Sequence, residues 1–101
     1  MFIVVYHYKI PIKKTRDYVQ LEKQAIKIYL ECGCSGVEIY RDASYPARWM
    51  EINRFEDREH YPRVIGVVDE DPRMRELFEE FKSILGSEGG EAEKRLYYRM
   101  I

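Results

Sequence analysis

Residues 2–10 set bulky side chains on both sides of one strand, and this constrains the fold more than any other feature of the chain. Phe2, Val4, Tyr6, Tyr8 and Ile10 alternate with Ile3, Val5 and His7, and Pro11 ends the run. β-Branched and aromatic residues at this density predict a strand. Residues 47–55 repeat the pattern, with Trp49, Glu51, Asn53 and Phe55 alternating with Met50 and Ile52. A sheet face turned to water is ordinarily polar, so apolar groups on both faces require that both be covered.

The remaining elements follow from periodicity and punctuation. Thr15 is the expected N-cap, and Asp17 the first-turn acid, of a helix reaching about Cys32. Its inner stripe is Tyr18, Leu21, Ala25, Ile28 and Tyr29, and Gly33 stops it. Residues 36–41 alternate Val37 and Ile39 with Glu38 and Tyr40, a half-buried strand, and residues 42–46 form a turn. Asp57 is expected to cap a helical segment carrying Tyr61, Val64, Ile65 and Val68, which Pro62 should break into a turn and a helix. Asp71-Pro72 pairs a capping residue with proline at the first helical position. That helix buries Met74, Leu77, Phe78, Phe81, Ile84 and Leu85, and Gly86 ends it. Residues 87–90 predict a loop. Residues 94–101 predict a last strand, with Leu96, Tyr98 and Met100 alternating with Arg95, Tyr97 and Arg99.

This order, strand–helix–strand–strand–helix pair–strand, predicts an α+β ferredoxin-like βαββαβ fold: a four-stranded antiparallel sheet with helices on one face. A chain of 101 residues supports one core, so residues 1–101 are expected to form one domain. No helices are spare to cover the second face. A homodimer closed through that face is therefore expected.

Composition excludes several classes of partner. The 17 basic and 18 acidic residues are mixed along the chain, without the clustered basic face of a nucleic-acid binder. No apolar run approaches bilayer length, and the opening residues lack the basic region and cleavage site of a signal peptide. Cys32 and Cys34 are too near in sequence for good disulfide geometry, and two sulfurs cannot close a zinc site. Reduced thiols in a soluble, cytoplasmic chain are the expectation. Many Glu, Lys and Arg against one Asn and two Gln fit a thermophilic source. No phosphate loop, metal-ligand spacing or serine–histidine–acid order is present, and no metal or other cofactor is expected.

Several residues could carry chemistry. His7 lies mid-strand, where a covered imidazole serves as a general base or as a satisfied structural group. Trp49, Glu51 and Asn53 share one face of their strand, spaced about 6.6–7 Å apart. An aromatic wall, a carboxylate and an amide suit a pocket for a planar polar ligand, or an interface in which Trp49 packs and Glu51 pairs with an arginine. Tyr97 and Arg99, with Arg95, could bind a carboxylate, although arginine on an edge strand is common for other reasons. Nine tyrosines fit a half-wet interior, whether cavity or interface.

The chain resembles the dimeric α/β-barrel superfamily, and within it NIPSNAP-like and antibiotic-biosynthesis-monooxygenase-like domains. The resemblance is carried by Tyr8-Lys9-Ile10 with Lys13-Lys14 and Asp17-Tyr18, by Trp49-Met50-Glu51-Ile52 leading into Phe55-Glu56-Asp57, and by Asp71-Pro72 through Phe78 and Phe81 to a tyrosine-rich final strand. It implies two ferredoxin-like sheets facing one another around a small-molecule cavity. Such families include cofactor-free oxygenases, isomerases, haem degraders and proteins without known activity, so fold does not select a chemistry. The first expectation is a small-molecule-binding protein or cofactor-independent enzyme, with His7 and Glu51 as acid–base pair and Trp49, Asn53, Tyr97 and Arg99 binding substrate. The alternative is a non-catalytic homo-oligomeric interaction protein. A third, haem binding through His7, uses the same fold.

Overall fold

The structure, a computed structural model, describes residues 1–86 and 92–101. Strands β1 (Phe2–Lys9), β2 (Gly36–Arg41), β3 (Arg48–Phe55) and β4 (Glu93–Tyr98) alternate with helices α1 (Thr15–Glu31), α2 (His60–Glu70) and α3 (Pro72–Leu85). The strands form one sheet in the order β2-β3-β1-β4, and every neighbouring pair is antiparallel. This is the expected ferredoxin-like arrangement. The loop expected at residues 87–90 lies outside the described residues.

Register decides which side chains share a face. Phe2 stands opposite Phe55, Val4 opposite Asn53, Tyr6 opposite Glu51 and Tyr8 opposite Trp49. This set faces the helices: Phe2 and Phe55 meet Tyr61 of α2, while Tyr8 and Trp49 meet Tyr18 of α1. The opposite face carries Ile3, Val5 and His7 beside Arg54, Ile52 and Met50, and none of the three helices covers it. Val5 is buried there by its neighbours alone, whereas His7 is exposed. β4 is an edge strand, exposed at all six positions.

Helix ends mix fulfilled and corrected expectations. Thr15 is not an N-cap. A 3-10 turn over Ile12–Lys14 leads directly into α1, and the Thr15 hydroxyl instead donates back to the Ile12 carbonyl at 2.7 Å. Gly33 ends α1 at φ 104°, a left-handed conformation that glycine adopts without steric cost, and Cys34 N–H then reaches the Tyr29 carbonyl. Pro62 does not break its helix. It sits in the first turn of α2, where the N–H it lacks would have had no intrahelical partner, and Asp57 accepts from the His60 N–H at 2.7 Å just before it. Asp71 caps α3 as expected, accepting from the Arg73 N–H at 2.9 Å. Both cysteines are free thiols.

Candidate functional site

The covered face is not packed solid. Between the middle of the sheet and helices α1 and α3 lies a cavity of about 190 Å³. Its floor is Tyr6 and Tyr8 of β1 with Glu51 of β3, and α1 supplies Leu21, Glu22, Ala25 and Tyr29. α3 closes it with apolar groups only, among them Leu77, Phe78 and Phe81. This cavity sits inside one chain, between sheet and helices.

Two carboxylic acids enter this space. Glu51 belongs to the strand alternation that puts Trp49 and Asn53 on the same face. Glu22 lies on the stripe Tyr18–Glu22–Ala25–Tyr29, at helical spacing, and is 8% exposed. Burial drives the Glu22 carboxyl well above the ordinary glutamate range, and the charge of Glu51 pushes it further up. Burial likewise raises Glu51, opposed first by the Tyr8 hydroxyl, which donates to Glu51 Oε1 at 3.2 Å, and then by the Asn53 amide. Tyr8 also meets the Tyr18 hydroxyl. With the Tyr8 proton committed to Glu51, Tyr18 is the donor in that second bond, so a chain runs Tyr18 to Tyr8 to Glu51. Burial first, then the nearby acids, raises Tyr6, Tyr8, Tyr18 and Tyr29, which stay protonated hydrogen-bond donors across the ordinary pH range.

The expected site residues are only partly brought together. Glu51 lines the cavity, but His7 points through the opposite face, facing Met50 across the ladder. The expected His7–Glu51 pair is therefore corrected: neighbouring strands put the two side chains on opposite sides of the sheet. Trp49 and Asn53 flank Glu51 but are core residues outside the cavity lining. Trp49 packs on Tyr18 at 4.9 Å between ring centroids, and Asn53 is 0% exposed with both amide atoms unpartnered among the described residues. Trp49 is consequently unavailable to a partner chain. Tyr97 faces outward beside Ile3, and Arg99 lies past the end of β4, bonded through its Nε to the Ile101 carbonyl. Neither approaches the cavity lining. Sequence reasoning passed over Glu22, whose signal was an acid on an apolar helical stripe, and over the individual roles of Tyr6, Tyr8 and Tyr29. Among the described residues no group of three or more His, Cys, Asp or Glu could hold a metal ion, and no helix is long and apolar enough to cross a membrane.

No family model matches the sequence, and no curated protein matches it. Solved structures do match the fold. A protein assigned as an antibiotic biosynthesis monooxygenase from Nitrosomonas europaea superposes with a TM-score of 0.78 at 11% identity, covering 100% of both chains. A NIPSNAP family protein from Agrobacterium tumefaciens gives 0.78 at 16% identity over 98% of this chain and 85% of its own. A cofactor-independent oxygenase from Streptomyces nogalater gives 0.76 at 9% identity over 99% and 93%. The chain therefore shares the ferredoxin-like fold of monooxygenase-like and NIPSNAP proteins.

Proposed function

We propose that this protein binds a small organic molecule in the cavity between α1, α3 and the sheet, and exchanges a proton with it through Glu51 and Glu22. The observation that carries the reading is the convergence of one buried carboxyl group, Glu22, and one half-buried carboxyl group, Glu51, on one largely apolar space. A cavity of about 190 Å³ is close to the roughly 150 Å³ that accommodates benzene, so the ligand is a one-ring compound or similar in size. Neighbouring acids that repel one another give up their protons one at a time, so the pair passes through a state with one protonated donor beside one ionised acceptor. That pairing suits general acid–base work without a bound organic cofactor, and a fold neighbour described as a cofactor-independent oxygenase is consistent with it.

The test is a panel of one-ring phenols, amines and aryl acids, followed by Trp49 fluorescence and thermal shift. Saturable binding by some member, lost in Ala25→Leu, which fills the cavity from α1, is the expected result. A panel in which nothing binds the native protein would remove the reading. We also propose that a second copy covers the open face, because Val5, Met50 and Ile52 form an apolar centre there.

A further inference from the structure

Among the described residues the cavity lining holds two acids and no base. Glu22, more than nine-tenths buried, receives no hydrogen bond or ion pair among the described residues, and its carboxylate opens onto the cavity. Glu51 accepts from the Tyr8 hydroxyl, and the neighbouring Asn53 amide also favours its ionised form. The other titratable groups around the pair are Tyr6 and Tyr8 on β1, Tyr18 and Tyr29 on α1, and Asp69 on α2, which acts on Tyr6 and Tyr29. The stretch of α3 that lines the cavity contributes no charge. Lys94, which stands opposite Tyr6 in the sheet, is engaged elsewhere: its Nζ donates to the Tyr61 hydroxyl at 2.9 Å. The walls are aromatic, formed by Tyr6, Tyr8, Tyr29, Phe78 and Phe81.

We propose that the ligand is an organic cation, a one-ring primary ammonium compound whose charged head lies between the Glu22 and Glu51 carboxylates and whose ring packs on the aromatic walls. This deepens, and rests on, the small-molecule reading above. A buried carboxylate needs a partner to remain ionised, and among the described residues this pair has no cationic one. An ammonium group supplies three donors and a compensating charge, and the aromatic faces around it attract a cation further. A neutral ligand would leave the repulsion between the acids unrelieved, and an anion would add to it. A bare metal ion fits poorly, since hard cations gather six or more oxygen ligands and most of this lining is hydrocarbon.

Calorimetric titration with 2-phenylethylammonium, 2-phenylethanol and 3-phenylpropanoate separates the possibilities. The ammonium compound should bind about tenfold or more tighter than the alcohol, and the carboxylate least. Binding should release protons, visible as heats that change with the ionisation enthalpy of the buffer, because the carboxyl groups ionise as the cation arrives. Glu22→Gln and Glu51→Gln should each weaken the ammonium compound by about 10- to 100-fold and the alcohol by much less. The three-probe comparison and the proton release use the native protein, so they decide the matter even if a variant does not fold. Alcohol binding as tight as ammonium binding, or ammonium binding without proton release, would overturn the cation assignment while the small-molecule reading stands. If none of the three probes binds, both fall.

Discussion

The Tyr8 hydroxyl reaches diagonally across the β1–β3 ladder to donate to Glu51 Oε1 at 3.2 Å, although Tyr8 itself stands opposite Trp49. The bond favours the ionised carboxylate in a place where burial favours the neutral acid. Tyr8→Phe removes it and strands the Tyr18 hydroxyl. The expected cost is about 1–3 kcal/mol of stability, the usual penalty for a buried polar group left unpaired. Titration of the Glu51 carboxyl, followed by NMR, should move to higher pH. A titration that stays put would show that Tyr8 does not tune this acid.

The contribution of Glu22 and Glu51 to stability should fall as pH rises above the ordinary glutamate range. In Glu22 and Glu51 the folded carboxyl titrates above its unfolded counterpart, so the folded state binds more protons between the two. Their contribution is complete below the ordinary glutamate range and is lost as pH climbs through the raised folded values. Glu38, Asp42 and Asp71, held low chiefly by hydrogen bonds, act the other way, and their contribution is lost on acidification. Glu22→Gln should flatten the alkaline limb of a melting-temperature profile, and an unchanged limb would mean that Glu22 titrates normally.

Trp49 and Ile52 should separate folding from assembly. Trp49 lies beneath α1 against Tyr18, so Trp49→Ala should cost about 3–5 kcal/mol in chemical denaturation. Ile52 lies on the open face. Ile52→Arg should leave the fold intact and shift sedimentation from dimer to monomer, given a stable interface of about 1,500 Å² or more. A native protein that sediments as a monomer at micromolar concentration would contradict the dimer.

Asp71→Ala should lower the melting temperature by roughly 4–8 °C, the effect of losing one good helix cap in a domain of this size. The proline that follows fixes where α3 starts, so no neighbouring residue can take over. Asp71 also pairs with Arg73 at 2.8 Å, and Arg73→Ala should cost less than loss of the cap. Equal melting temperatures for Asp71→Ala and the native protein would remove the cap from the account.

Element order, both clear helix stops and the Asp71-Pro72 start were legible because each rests on local chemistry: alternation, glycine at a positive φ, a side-chain acceptor before proline. The site was less so. His7 and Glu51 are bulky residues on adjacent strands, and only the register between β1 and β3 decides whether they meet. A shift of one residue would exchange the faces, and no residue within either strand encodes that shift. Glu22 went unrecognised for a related reason. An acid on an apolar stripe is visible in the sequence, but its meaning depends on a cavity, and the cavity exists only where α1, α3 and β3 converge.

Both borders of the sheet are charged: Glu38 and Arg41 on β2, and Glu93, Lys94 and Arg95 on β4. A further strand laid along either border would bring its own backbone up against these charged side chains. The sheet is thus guarded against lengthening into a filament and left free to stack. Growth by addition of strands is penalised at both ends, and the broad face opposite the helices is the surface left for stacking.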